Sequence, residues 1–492
     1  MSHAEESAAE ADDGGGTAPR LLSELWAEIL RRLPRAHDVC AARAAAKFLR
    51  DAYNEHEATI LAAVLALPRV QPYCEGNRFS AMGQAGGTEL YREGMAFRGA
   101  WRKGYSYQQR LTFPSYVRCV KVNWEAYTSA CSMAMPPGTW PPDWTAGGIA
   151  VGLFDGTVWL SDNITGYGGP NRRAGPGGHA DGQVLAIDWV GSLVLSGSGE
   201  PSYHERSTTS VGYHPTLRVV SLQRSPFEVV HELGPANGGH TDSINDILIV
   251  DEHFDGESLR CTAVTASTDG HLIVWDAVAG RPLRRCVHGR AVTAMARVDG
   301  EILLSAGRDG QVREWRWRSG ACLRELLLSP SMVPFSAMSY HAATSSFALG
   351  NTHGEMCVFR RNPRNDDREP ACYPLTSWVS LRGSHMSSHN EVASIQHDGD
   401  KVVFSTRAGT LRVAWLGSMP DEGMPIGMYR TGELVRSTAP FEEPSPASFT
   451  PGFGLNVRMY VSSATFRGSI LVADGFDNQV LVTLFGDESE QS

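Results

Sequence analysis

The sequence predicts a mainly β protein built from a repeated unit, and three observations carry that prediction. Between Cys261 and Trp317 one segment is written twice, as Thr265 to Asp276 and again as Ser305 to Trp315. In each copy a short apolar strand runs into an Asp-Gly turn, Asp269-Gly270 or Asp309-Gly310, and an alternating strand leaves it to end in Trp275 or Trp315. Such period-2 patterning around a tight turn is that of a β-hairpin. The turns lie 309 − 269 = 40 residues apart, and further apolar runs recur along the chain.

A histidine precedes each copy, His240 four residues before Ile244 and His288 four before Val292. A unit of this length with a Trp-ended third strand resembles the WD-repeat, one four-stranded blade of a β-propeller. The resemblance implies a hydrogen-bonded tetrad in each copy, running from the Trp ring through a hydroxyl and an imidazole to the turn Asp. These would be His240, Thr265, Asp269 and Trp275 in the first, and His288, Ser305, Asp309 and Trp315 in the second. A catalytic His, Ser and Asp set occurs once. Duplication marks these residues as fold-holding.

Composition bounds the rest. With 492 residues, 42% hydrophobic and 20% charged, the chain is long enough for two domains or for one large one with appendages. Its net charge of −10 sets it against nucleic acid and anionic membrane as partners. Nine cysteines are scattered without a Cys-x-x-Cys pair, which predicts reduced thiols in the cytoplasm or nucleus and neither a disulfide framework nor a zinc site. Residues 1–20 are acidic and rich in Gly and Ala, which predicts a disordered leader and not a signal peptide. No apolar run has the roughly 20 residues of a membrane span.

From Leu21 the character changes. Leu22, Leu25, Trp26, Ile29, Leu30 and Leu33 fall at helical spacing and Pro34 stops the helix, so residues 21–67 are expected to form a small helical module. The run Leu22-Ser23-Glu24-Leu25-Trp26-Ala27-Glu28-Ile29-Leu30-Arg31-Arg32-Leu33-Pro34 resembles the start of an F-box, with Ser23 where the family usually has Pro. Its later Val-Cys-x-x-Trp segment is only faintly echoed by Ala45 to Leu49. The alternative is an amphipathic helix packed on the propeller. Residues 68–104 are Gly-rich and aromatic and serve as a connector, ending in Trp101-Arg102-Lys103-Gly104-Tyr105, similar to the Trp-x-x-Gly-x-Tyr lead into the propeller of F-box/WD-repeat proteins.

Residues 105–486 divide into seven blade candidates, with eight as the fallback, and 487–492 form an acidic tail. The first is centred on Asp155-Gly156 and the second runs from Val184 through Leu217 to Leu222; the two copies described above are the third and fourth. The fifth starts at Phe335, the sixth at Val392 and the seventh at Val457. Residues 166–178, 361–389 and 417–456 read as loops outside the blades. After Leu484 nothing remains to supply the last blade's outermost strand, while residues 105–111 alternate and have no blade of their own. The two are expected to pair antiparallel and close the ring.

No phosphate loop, His-Glu-x-x-His or Gly-x-Ser-x-Gly motif is present, and no catalytic residue, metal or cofactor is expected. His385 and His389 sit in a Ser-rich stretch and read as a solvated pair. Arg308 and Arg407 precede turns at equivalent blade positions and Arg118 heads the first inner strand. In the family such arginines grip phosphorylated or acidic peptides, a task suited to the guanidinium fork. Each alone reads as a surface arginine paired with a carboxylate. Together the modules resemble an F-box/WD-repeat protein, the non-catalytic substrate receptor of a Skp-cullin-F-box ubiquitin ligase. That implies a Skp-type adaptor bound at Leu22, Leu25, Trp26, Ile29, Leu30, Leu33 and Pro34, a cullin-RING complex, and a protein substrate on Arg118, Arg308 and Arg407. The rival is a WD-repeat scaffold with no ubiquitin role, since a fold alone does not give a function. Trp275-Asp276-Ala277-Val278 lacks the Arg expected of receptors for another cullin family.

Overall fold

The computed structural model describes residues 98–99, 106–124, 148–161, 171–180, 182–199, 214–223, 227–254, 259–328, 332–362, 371–376, 378–380, 391–407, 411–416, 428–433, 463–468, 470–474 and 478–485. The leader, the F-box-like stretch Leu22 to Pro34, the Trp101 to Tyr105 signature, His385, His389 and the acidic tail lie outside the described residues.

Seven antiparallel sheets follow one another along the chain. After β1 (Ser106–Thr112), blade one is β2 (Val117–Val122), β3 (Ile149–Leu153), β4 (Val158–Ser161) and β5 (Arg172–Arg173). Blade two is β6 (Gln183–Val190), β7 (Leu193–Gly199), β8 (Leu217–Ser221) and β9 (Glu228–Leu233). Blades three and four are the sequence duplicate: β10 (Ile244–Phe254), β11 (Leu259–Ser267), β12 (His271–Asp276), β13 (Arg281–Val287), then β14 (Val292–Arg297), β15 (Ile302–Gly307), β16 (Gln311–Arg316), β17 (Ala321–Leu327). Blade five is β18 (Phe335–His341), β19 (Ser346–Asn351) and β20 (Glu355–Arg361), edged by β21 (Cys372–Pro374) and β22 (Val379–Ser380). Blade six is β23 (Val392–His397), β24 (Lys401–Thr406), β25 (Leu411–Leu416) and β26 (Met428–Glu433). Blade seven is β27 (Ala464–Arg467), β28 (Ile470–Asp474), β29 (Gln479–Phe485) and, as its outer strand, β1.

The pairing of β1 with β29 runs in one register from Ser106↔Phe485 to Thr112↔Gln479. Phe113 N–H donates to the Asn478 carbonyl at 2.8 Å, and Asn478 Nδ2 donates to the Phe113 carbonyl at 2.8 Å. Leu111 and Phe113 are buried with Val117, Val151, Val480 and Val482 in the core between the last blade and the first.

Packing explains which strands the sequence displays. Every residue of β3, β7, β19, β24 and β28 is buried, because a second strand is covered on both faces by neighbouring blades. Such strands read as continuous apolar runs. Outer strands meet solvent, as in β13 and β17, and need only backbone pairing along one edge. The three stretches expected to be loops are corrected here for that reason: β5 lies within 166–178, β21 and β22 within 361–389, and β26 within 417–456, each completing a blade edge. The inner strand of blade seven begins at Ala464, later than the expected Val457.

Six inner strands carry a register shift within two residues of their start, between Val117/Cys119, Val184/Ala186, Ile244/Asp246, Val292/Ala294, Phe335/Ala337 and Val392/Ser394. A bulge of this kind re-aims a side chain. Asn245 donates to the Val292 carbonyl at 2.7 Å, Thr293 to Phe335 at 2.8 Å and Ser336 to Val392 at 2.7 Å, each reaching the start of the next inner strand. The other junctions are tied by Cys119 to the Val184 carbonyl, Ile249 N–H to Asp188, Ser394 to the Ala464 carbonyl and Ser463 to the Val120 carbonyl. All seven blade junctions therefore carry at least one hydrogen bond at the channel wall. All inner strands start at the same end of the channel.

Candidate functional site

That end opens into a cavity of about 520 Å³ lined by inner-strand residues of blades one to six and by Ser463, just before the inner strand of blade seven. Arg118, Arg308 and Arg407 all line it. Arg118 occupies the bulge of β2. Arg308 and Arg407 stand just past β15 and β24, where their N–H groups bond the Ala291 and Glu391 carbonyls at 2.9 Å, beside the first residues of β14 and β23. Three arginines from blades one, four and six thus share one mouth.

Three lining charges, Lys121, Glu391 and Asp246, escaped sequence reasoning. Lys121, on the same strand as Arg118, pairs with Asp188 of blade two at 2.8 Å, and Glu391 pairs with Arg407 at 3.0 Å. The strand alternation that brings Lys121 to the channel was in the sequence; Glu391 reaches Arg407 only through the pairing of β23 with β24. Asp246 completes the set of charges. Desolvation pushes its carboxyl up to about 7, against the hydrogen bonds from the Met295 and Ile247 N–H groups. Four cationic side chains therefore share the mouth with Glu391 and with Asp246, whose ionisation burial disfavours, while Lys121 also reaches Asp188 behind the wall, in a chain of net charge −10. The hydroxyls of Thr293, Ser336, Ser394 and Ser463 all donate to carbonyls, and no histidine lines the cavity among the described residues. Cys119 is no nucleophile either, as burial pushes its thiol up to about 12.

The tetrads lie away from this mouth, inside their blades. In blade three the chain is continuous: Trp275 Nε1 donates to Thr265 Oγ1 at 2.9 Å, His240 Nε2 meets that oxygen at 2.7 Å, and His240 Nδ1 meets Asp269 at 2.9 Å. Burial works against ionised Asp269, but bonding to His240 and the Thr241 and His271 N–H donors outweigh it and hold the carboxyl well below its usual range. Blade four departs from the expected chain. Trp315 still donates to Ser305 at 2.8 Å, but Arg313 intervenes, donating to Asp309 at 2.7 Å and to His288 Nδ1 at 2.7 Å, while His288 stands 3.8 Å from Asp309. Arg313 replaces the apolar residue found at Ile273, and an Arg long enough to reach the turn displaces the imidazole from it. A related pair in blade two went unread: His179 bonds Ser196 at 2.9 Å and Thr216 at 2.6 Å.

Asp269→Ala is expected to cost roughly 2–3 kcal/mol, since it leaves His240 Nδ1 and two N–H donors without their acceptor. Urea titration against wild type measures this; an unchanged midpoint refutes the structural role.

Blade six holds a further ionic cluster. Arg98 makes a two-pronged bond to Asp400 at 2.7 Å for each prong, and Asp400 is wholly buried. Lys401 beside it is also wholly buried, pairs with Asp398 at 2.6 Å and lies over the Phe466 ring of blade seven at 4.5 Å. Among the described residues no group of three or more His, Cys, Asp or Glu side chains is placed to hold a metal ion.

No family model matches the chain, and no curated protein matches it in sequence. Among solved structures it is similar to U3-55K, with a TM-score of 0.50 at 15% identity over 77% of this chain and 98% of that one. It is also similar to the RRP9 WD40 repeats, with a TM-score of 0.49 at 16% identity over 77% of this chain and 97% of that one. The sheet order and the first of these likenesses define the fold: a seven-bladed β-propeller.

Proposed function

We propose that the chain is a non-catalytic WD-repeat scaffold for protein assembly whose channel mouth takes an acidic or phosphorylated segment of a protein partner. The observation that carries this reading is the excess of cations at the mouth, Arg118, Lys121, Arg308 and Arg407, within an acidic protein. A concave site with low-dielectric walls concentrates that field and attracts anions. Guanidinium groups from three blades meet phosphate or carboxylate oxygens with two donors each. The inter-blade hydrogen bonds keep those blades in place, so little ordering cost falls on binding.

The test is charge reversal. Arg118→Glu, Arg308→Glu and Arg407→Glu together should weaken capture of a fluorescent poly-Glu or phosphoserine peptide by about a hundredfold, at about 1 kcal/mol for each guanidinium. Thermal stability should be retained. Equal capture by the triple variant disproves the reading.

A second reading is that this scaffold is the substrate receptor of a Skp-cullin-F-box ubiquitin ligase, cytoplasmic or nuclear. Its support is the F-box-like run from Leu22 to Pro34, together with the Arg98–Asp400 bond that fixes a residue of the connector to blade six. In this reading the ligase chemistry belongs to recruited subunits and the propeller raises the local concentration of substrate. A pull-down decides it: adaptor and cullin are retained by wild type and lost from Leu25→Asp with Ile29→Asp. Retention by that double variant, or no retention by wild type, leaves the scaffold without a ubiquitin role.

A further inference from the structure

A second cavity, of about 550 Å³, lies between the Asp269-Gly270 turn of blade three and the Asp309-Gly310 turn of blade four. Arg308 lines both this cavity and the channel, so the two meet at its side chain. The walls are held from within the blades. Asp269 accepts from His240 and from the Thr241 and His271 N–H groups, and Asp309 accepts from Arg313 and the Gln311 N–H. Both turn carboxylates are thus occupied, and the cleft between them has a preset shape.

What faces solvent here differs in kind. Arg290 and Arg308 are exposed, and neither has a carboxylate partner among the described residues. Met332 is 56% exposed and has a left-handed backbone, φ 51°. Its backbone rests on the second turn: a Cβ on Gly310 would come within 2.8 Å of the Met332 carbonyl carbon. A non-glycine residue in that conformation is strained, and a large apolar side chain left in water gains nothing for the isolated chain. Val287 and Leu327, 68% and 64% exposed, end the outer strands of the same two blades, opposite His271 and Gln311 just past the turns. Two cations with no carboxylate partner among the described residues and the exposed Met332 side chain therefore share one cleft.

We infer that this cleft takes an extended segment of a partner protein, placing a Glu or Asp carboxylate at Arg290 and Arg308 and a large apolar side chain on Met332. The inference rests on the reading of the channel mouth as a partner-binding site and names the chemistry that continues outward from it. A carboxylate suits the cleft better than a phosphate dianion because ionised Asp269 lies in its wall and repels the second charge.

The experiment passes a pool of decapeptides, randomised around a fixed central Glu, over the immobilised full-length chain and sequences the bound fraction. Large apolar residues should be enriched about fivefold at a defined spacing from the Glu, the ratio set by burying roughly one such contact. Met332→Gly should abolish that preference without lowering the melting temperature, since glycine accepts φ > 0 freely. Arg290→Glu should cut retention of the pool about fivefold, and Arg407→Glu should leave the apolar preference in place. If Met332→Gly and Arg290→Glu behave as wild type while Arg407→Glu abolishes retention, the mouth binds alone and the cleft inference is overturned. If none of the three changes retention, or no apolar preference emerges, the cleft inference is overturned as well. A pool with phosphoserine in place of Glu that binds better and ignores Met332→Gly also overturns it.

Discussion

Deleting residues 106–113 opens the ring and removes its cooperative unfolding. The deletion takes away the whole of β1, whose seven residues pair with β29 from Ser106↔Phe485 to Thr112↔Gln479, and with it the buried side chains of Leu111 and Phe113. Burial of each such side chain contributes about 1.5–3 kcal/mol. The loss does not stop there. Val480 and Val482 are wholly buried, in one core with Leu111, Phe113 and residues of blade one, so their apolar neighbours go as well. The edge of β29 is left with unpaired N–H and C=O groups, the template for edge-to-edge aggregation. A net stability of about 5–15 kcal/mol leaves little margin for a loss of this size. Urea unfolding followed by tryptophan fluorescence should change from one steep transition to a broad one with a smaller m-value, and the deleted protein should oligomerise. As a milder companion, Leu111→Ala should cost about 2–5 kcal/mol while keeping a single transition. A deletion variant that unfolds as steeply and at the same urea concentration as wild type shows that the ring does not depend on this closure.

The closure was legible in the sequence because it follows from bookkeeping of backbone groups: one alternating segment had no blade, and one blade had no outer strand. The inner three strands of most blades were legible for a related reason. Burial between neighbouring blades forces apolar runs such as Val402-Val403-Phe404-Ser405 and Ile470-Leu471-Val472-Ala473, and these leave a pattern. Outer strands leave none. Arg172–Arg173, Cys372–Pro374 and Met428–Glu433 are strands through backbone pairing alone, inside stretches whose Gly, Pro and Ser content points to loops. Arg118, Arg308 and Arg407 could be grouped in advance because the head of an inner strand and the turn after the second strand face the same end of a propeller. That Arg407 is bonded to Glu391, and Lys121 to Asp188 of the next blade, depends on side-chain directions that no repeat pattern encodes. Arg313 is the instructive miss. In the duplicate the four tetrad residues match, yet one substitution four residues beyond Asp309 reroutes the bond, because a guanidinium outcompetes a neutral imidazole for a carboxylate.

Acidification from pH 7 to pH 4.5 should unfold the propeller, and three histidines set the window. His179, His288 and His397 are buried and their ring nitrogens are already engaged. His179 bonds Ser196 and Thr216, His288 accepts from Arg313, and His397 bonds Ser346 at 2.6 Å and accepts from the Gly399 N–H at 3.1 Å. Burial lowers all three, helped by Arg218 near His179, Arg313 beside His288 and His341 beside His397, to about 3, about 4 and about 4. In the unfolded chain each returns to about 6.5. Between those values the unfolded state binds the extra proton, so stability falls as pH drops through 6.5 and continues to fall until the folded pKa near 4 is reached. Asp246 acts in the opposite sense. Its folded pKa is raised, so it binds a proton in the folded state first and offsets part of the loss. Roughly two protons are then taken up on unfolding near pH 5.5, a slope of about 2–3 kcal/mol per pH unit. Urea titrations at pH 7.5, 6.5, 5.5 and 4.5 read this slope directly. His288→Gln should flatten it by about one proton, and Asp246→Asn should steepen it. Stability that stays level or rises between pH 6.5 and 4.5 means that these imidazoles are charged in the folded state, which the Arg313 bond to His288 forbids.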